Sequence, residues 1–306
     1  MAPVLRVVTR GSALAFTQTS HLAAMLQERN PGLTFEIITL ATTGDRITDR
    51  PLSQFRGKGV FVNELEKALL AGDADLAVHS LKDVPVQRVD GLILAAFPLR
   101  QNPFDCLITK KRVLLDELPH AAIIGVGSLR RLMQLKAVRP DLIFRDLRGN
   151  LDTRLRKLEE GQYDGIVAAA AGMLRLNRHF EENALLPMDL CLPAAGQGCL
   201  AIECKKTDSE AQRIAATIDD ASTRLEICAE RDFLAIIGGG CHMPVAVYAK
   251  IDNDRLTIRG VIGDPDSGRL VRETVMVARE ENHAAGKALA EKMLILCDRN
   301  EIRFQL

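Results

Sequence analysis

Short β-branched runs alternate with amphipathic stretches over the first two-thirds of the chain, and that alternation leaves few architectures open. VLRVVT (4–9) is followed by a helical pattern from Ala13 to about Arg29, which Pro31 and Gly32 close. LTFEIITLA (33–41) reads as a second strand, FVNELEKALLAG (61–72) as a helix stopped by Gly72, and ADLAVHS (74–80) as a third strand. The same grammar resumes with AIIGVG (122–127), a helix capped by Ser128 and ending before Pro140, LIFRDL (142–147), the helix LDTRLRKLEEG and YDGIVAAAA (163–171). Strands separated by helices do not pair as hairpins. They imply α/β layers, with parallel sheets covered by helices on both faces.

From about residue 218 the pattern changes. A helix, STRLEICAERDFLAII, runs into glycines, and VAVYAKI, RLTIRGVIG and RLVRETVMVA follow with Asp-Asn-Asp and Asp-Pro-Asp-Ser-Gly between them. Short polar turns between such runs predict a three-stranded antiparallel meander, with a final helix over roughly 281–298 covering it. The expected architecture is two α/β domains and a smaller α+β domain that carries Cys241.

Composition narrows the partners. Lysine plus arginine equals aspartate plus glutamate at 40 each, so no global field draws in nucleic acid or a membrane surface. The absence of Trp, with two Tyr and ten Phe, leaves few platforms for stacking bases. Arg6 and Arg10 interrupt the stretch a signal peptide would need, and IVAAAAGML (166–174) is far shorter than the ~20 residues of a membrane helix. Seven cysteines, an odd number scattered along the chain, do not form a disulfide framework. The expectation is a cytoplasmic protein.

In open α/β sheets, ligands bind beyond the carboxyl ends of the strands. Five strand exits here are polar: Arg10-Gly11-Ser12, Thr42-Thr43-Gly44-Asp45, Lys82-Asp83, Ser128 with Arg130-Arg131, and Arg148-Gly149-Asn150. A single loop arginine is ordinarily solvated; five such loops on one edge point to a shared site. Between residues 130 and 178, nine arginines and two lysines face six acids, an excess of five positive charges in a neutral chain. Arg130, Arg131 and Arg154 fall in first helical turns, where the dipole already favours anions and a cation is locally unfavourable. That arrangement suits a bound anion, and the guanidinium fork suits carboxylate or phosphate. Neither GxxxxGK[ST] nor GxGxxG is present, which favours carboxylates over nucleotide phosphate. Asp83 is an acid among these cations: it is a turn former, an ion-pair partner of Lys82, or a carboxylate facing charge that develops in a reaction. His79 reads as a satisfied strand histidine.

GGGCHMP (238–244) places a thiol on bare backbone. No CxxC or CxxH spacing supports a metal site there, and no histidine can be paired to Cys241 as the base of a nucleophile. The glycines give room for something bulky beside the sulfur or bonded to it.

The motifs RGSALA (10–15), TTGD (42–45), RGKGVFVNELE (56–66), DLAVHSLKDVP (75–85), GSLRR (127–131), LRGNLDTRL (147–155), LPAAGQG (192–198) and GGGCHMPVA (238–246) together resemble the porphobilinogen deaminase, or hydroxymethylbilane synthase, family. The resemblance covers essentially the whole chain. HSLKDVP and GGGCHMP in this order and separation are its specific core. It implies two periplasmic-binding-protein-like α/β domains, 1–98 with 199–217 and 104–193, plus an α+β domain over 218–306. It also implies a monomeric transferase that joins four porphobilinogen molecules head to tail, with loss of ammonia, into hydroxymethylbilane for haem biosynthesis. The primer would be a dipyrromethane cofactor bonded to Cys241.

By motif, Asp83 would be catalytic. Lys82, Ser128, Arg130, Arg131, Arg148, Arg154 and Gly198 would hold the cofactor. Arg10, Ser12, Gln18, Lys58, Arg148, Arg154 and Arg175 would hold porphobilinogen and the growing oligopyrrole, whose rings each carry two carboxylates. GVGSLRR stands where many members read GTSSLRR, so Val126 and Gly127 replace two hydroxyls; Gln54, Arg56 and Asn63 are further departures. The sheets and arginines alone would also fit a non-catalytic two-domain protein that binds carboxylates or other anions.

Overall fold

The computed structural model describes residues 4–42, 62–238 and 243–304. The chain divides into two compact units, Met1–Gln101 with Gly198–Arg224, and Asn102–Gln197 with Leu225–Leu306.

In the first unit, β1 (Val4–Arg10), α1 (Ala13–Arg29), β2 (Thr34–Leu40), α2 (Asn63–Ala71), β3 (Leu76–Ser80) and β4 (Leu92–Ala96) follow one another, and β9 (Leu200–Lys205) and α6 (Ser209–Ala216) complete it. The strand order is β2-β1-β3-β9-β4. Alternation across the pleat sorts the core. Val7, Leu76, Val78 and Ile202 meet Leu22 and Leu26 of α1 and Ile214 of α6. Val8, Ala77 and Leu92 point the other way, onto Leu65 and Leu69 of α2. Each of these leucines is at most 1% exposed, worth about 1.5–3 kcal/mol of burial apiece.

The second unit holds β5 (Asp105–Thr109), β6 (Ile123–Val126), α3 (Leu129–Val138), β7 (Ile143–Asp146), α4 (Leu151–Glu159), β8 (Gly165–Ala169) and α5 (Ala170–Arg175), with order β5-β8-β6-β7. α7 (Ala221–Ile237) leads toward β10 (Val245–Asp252), β11 (Arg255–Gly263) and β12 (Leu270–Ala278), and α8 (Asn282–Arg299) closes the fold. These three strands form the expected antiparallel meander. Phe233 of α7 and Leu289 and Met293 of α8 fill its covered face. A side chain at Gly286 would overlap the Ala229 carbonyl oxygen, so the two helices pack backbone to backbone there.

The sheets differ from the expectation in one respect: they are mixed. β9 runs antiparallel to both β3 and β4, and β5 runs antiparallel to β8. A strand buried on both faces is apolar whichever way it runs, so hydrophobic pattern carries no information on direction.

Candidate functional site

In the first unit, parallel pairing of β1 with β3 brings their exits side by side. Arg10 ends β1, and Ser12 caps α1 by accepting a hydrogen bond from the Ala15 amide at 3.2 Å. Lys82 and Asp83 occupy a single 3-10 turn, Leu81–Asp83, locked by the Val84 amide donating to the Leu81 carbonyl at 3.0 Å. That turn sets an Asp83 carboxylate oxygen 4.0 Å from a terminal nitrogen of Arg10, with both side chains about one-quarter exposed (26% and 25%). Gln18 is buried and accepts from the Ser80 hydroxyl at 3.0 Å. Gly198 has a φ of 86°, and its carbonyl accepts from the Gln101 amide at 3.2 Å.

Beneath this turn lies His79, 4% exposed, whose Nε2 is 2.9 Å from a Glu203 carboxylate oxygen. Burial, with the charge of Arg88, pushes the imidazole down to about 4. Arg88 bridges Glu66 and Glu203, and so neutralises the carboxylates that would otherwise hold a proton on the ring. His79 is thus the satisfied strand histidine the sequence suggested.

In the second unit, β6 and β7 are parallel neighbours, and the Leu147 amide donates to the Val126 carbonyl at 3.1 Å. The two exits are pressed together: a Cβ at Gly127 would lie 2.6 Å from the Leu147 carbonyl oxygen. Ser128 sits at the N-cap of α3, yet its side chain makes no capping hydrogen bond. Arg148 lies on the neighbouring exit, its Nε donating to Asp146 at 2.8 Å. Gly149 turns the chain with a φ of 107°, and its carbonyl accepts from Arg154 Nε at 2.8 Å. Arg175 closes α5.

Arg130 and Arg131, expected in a first helical turn that suits a bound anion, already have an internal acid as partner. Both side chains are only 5–6% exposed, and both lie on Asp105, which is 0% exposed. Arg130 donates to Asp105 at 2.7 Å and to the Leu192 carbonyl at 2.8 Å. Arg131 donates to Asp105 at 2.6 and 3.0 Å and to the Val167 carbonyl at 2.9 Å. Gln197 adds a fourth donor nitrogen at 2.9 Å. Burial alone would push the Asp105 carboxyl up; the charges and hydrogen bonds of the two guanidiniums outweigh it and hold the group well below the usual carboxylate range. The Cys191 thiol beside this cluster is pushed up to about 12 by burial and by Asp105, which leaves it an inert thiol. Asp105 was not singled out from sequence; the only signal was an acid opening a strand next to Pro103-Phe104.

The structure therefore pairs Arg10 with Asp83 in one unit and gathers Ser128, Arg148 and Arg154 in the other. Cys241 and Lys58 lie outside the described residues, as do Thr43, Gly44 and Asp45 of the second polar loop. Among the described residues no His, Cys, Asp and Glu cluster could hold a metal ion.

Comparison with known proteins decides the family. Residues 5–213 match the model for the porphobilinogen deaminase dipyromethane cofactor binding domain, and residues 224–295 match the porphobilinogen deaminase C-terminal domain. The chain belongs to the porphobilinogen deaminase family. The porphobilinogen deaminase of Roseiflexus castenholzii is 47% identical over 290 residues, 95% of each chain. That of Sulfurimonas denitrificans is 44% identical over 293 residues, covering 95% of this chain and 93% of the relative. Among solved structures, the methionine binding protein MetQ aligns with 14% identity and a TM-score of 0.47, over 71% of this chain and 91% of MetQ. The Bordetella pertussis BvgS VFT2 domain aligns at 20% identity and 0.42, over 71% of this chain and 86% of that one.

The family's cofactor is a dipyrromethane, an anionic group rich in carboxylates with two pyrrole N–H donors. Each unit, taken by itself, carries groups of matching chemistry. The second has the Ser128 hydroxyl beside the first turn of α3, together with Arg148. The first has a cation and an acid, Arg10 and Asp83.

Proposed function

We propose that this chain is a hydroxymethylbilane synthase: it joins four porphobilinogen molecules head to tail with loss of ammonia, on a dipyrromethane bonded to Cys241. The observation that carries the reading is family membership across residues 5–213 and 224–295, with the expected acid, Asp83, held opposite Arg10. A purely anion-binding protein would have no use for the cofactor domain this chain matches.

Porphobilinogen carries an acetate and a propionate, and its departing ammonia leaves positive charge spread onto the pyrrole nitrogen. Arg10 accounts for a carboxylate and Asp83 for the cation. The Asp83 oxygens accept the pyrrole N–H, and their negative charge stabilises the developing positive charge. The 3-10 turn matters because a carboxylate fixed before reaction need not reorganise during it. The same oxygens can take up the proton released when the new carbon–carbon bond restores aromaticity. Bound through Cys241, the dipyrromethane supplies the nucleophilic carbon that starts the polymer.

In the second unit, Ser128, Arg148 and Arg154 are assigned to the ring carboxylates of primer and product, with Arg175 assigned by motif; in the first, Lys82, Gly198, Ser12, Gln18 and Lys58 are assigned by motif. Arg130 and Arg131 are assigned to the primer's carboxylates by motif as well, through the donors that Asp105 and the Leu192 and Val167 carbonyls leave to them. The reading includes a cytoplasmic monomer; the six described cysteines are free thiols, and among the described residues no helix is long and apolar enough to cross a membrane.

Intact-mass measurement tests the assignment. Purified protein should carry the additional mass of two linked pyrroles, and Cys241→Ser should remove it together with turnover of porphobilinogen. Active protein with the mass of the bare polypeptide would refute it.

A further inference from the structure

We propose that Asp146 is a positioning residue for the carboxylate site: it grips one edge of Arg148 and thereby aims the two terminal nitrogens of that guanidinium at the ligand. The proposal rests on the functional reading above and adds to it a residue that no motif singled out.

Asp146 is the last residue of β7, and Arg148 lies two positions on, so the intervening Leu147 faces the opposite way. Leu147 is 0% exposed and anchors the exit in the core with Leu158 and Ile166. With that anchor set, the side chains of Asp146 and Arg148 emerge on the same side, and Arg148 Nε donates to an Asp146 oxygen at 2.8 Å. The backbone around the pair is held as well. Tyr163 donates its hydroxyl to the Asp146 carbonyl at 2.7 Å, and Lys157 Nζ donates to the Arg148 carbonyl at 3.2 Å.

The consequence lies in the donors left over. A guanidinium has five N–H groups in a rigid plane, and the terminal pair matches a carboxylate end-on. The Arg148 side chain is 21% exposed, yet among the described residues neither of its terminal nitrogens has a hydrogen-bond partner. Neither terminal nitrogen is buried, so both stay open to an incoming carboxylate. Ser128, on the adjacent exit, likewise makes no capping bond, so the Arg148 end and the Ser128 hydroxyl form an incomplete anion site on neighbouring strands. Asp146 itself is 53% exposed in its side chain, so water screens its charge and its main effect on Arg148 is directional.

The test compares wild type with Asp146→Ala, Asp146→Asn and Asp146→Glu, each as purified, with KM and kcat referred to the primer-loaded molecules. Porphobilinogen kinetics, thermal unfolding and the fraction of molecules carrying the two-pyrrole mass are measured together. Asp146→Ala should raise KM about twofold to fivefold and lower the primer-loaded fraction, with kcat nearly unchanged because Asp83 is untouched. Asn keeps an acceptor and Glu keeps the charge, so both should recover part of the loss. An unchanged KM and primer load in Asp146→Ala, whatever its melting temperature, would overturn the proposal. So would a lower KM, which would show that Asp146 competes with the ligand. Wild-type protein lacking the pyrrole mass would instead sink the functional reading, and this proposal with it.

Discussion

Asp105→Asn isolates the buried charge cluster with almost no change in shape. In the wild type a fully buried carboxylate faces two guanidiniums that are 5–6% exposed, so the substitution strands two cations in the interior. Removing one partner of a buried ion pair costs about 3–5 kcal/mol, and the amide oxygen recovers little because it carries no charge. For a unit of this size each kcal/mol corresponds to roughly 2–4 °C, so the melting temperature should fall by about 6–20 °C. The pH dependence has a definite sign. The folded carboxyl lies below its unfolded value, so its contribution is complete above the unfolded pKa of about 3.9 and is lost only as pH falls toward the folded value. The gap between wild type and variant should therefore be constant from pH 8 to about pH 5 and begin to shrink below about pH 4. Far-UV circular dichroism during thermal and urea unfolding at several pH values measures it. A loss under about 1 kcal/mol at pH 7, or a gap that closes between pH 7 and 5, would refute the reasoning.

Two other substitutions probe the site directly. Asp83→Asn should leave the circular dichroism spectrum unchanged and lower kcat by about a hundredfold or more, as loss of a preorganised charge at developing charge does elsewhere; near-native turnover would remove Asp83 from its role. Gly127→Ala should destabilise the protein by about 1–3 kcal/mol in urea unfolding, because the new methyl would meet the Leu147 backbone oxygen and that backbone is hydrogen-bonded to Val126. Equal stability would show that the β6 and β7 exits have room to part.

Much of this could be read from residue patterns because local chemistry fixes it. The short strand-like runs at 4–9 and 74–80, the Pro31-Gly32 close and the Gly72 stop all act within a few residues of themselves, and β1, β3, α1 and α2 follow within a few positions. The meander was legible for the same reason, since short polar turns leave adjacent strands no alternative partner. What escaped was set at a distance. β9 lies more than a hundred residues from its neighbours β3 and β4, and nothing in LAIECK declares its direction. Asp105 is an ordinary strand-opening acid until Arg130, Arg131 and Gln197 converge on it. Motif matching placed Arg130 and Arg131 beside a ligand but could not show that an internal carboxylate already holds them. Arg148 was visible from sequence; that Asp146 takes its Nε was not, because an i, i+2 pair on a strand exit depends on which way the strand faces.

The placement of β9 bears on how the polypeptide is made. β4 reaches its sheet only through β9, which emerges from the ribosome roughly a hundred residues later, a delay of about 5–20 s at ordinary elongation rates. During that interval the nascent amino-terminal segment exposes an unpaired β3 flank that nothing local can cover, a natural template for pairing with another chain. Early chaperone engagement, or rapid passage through translation of residues 97–199, would shorten that exposure.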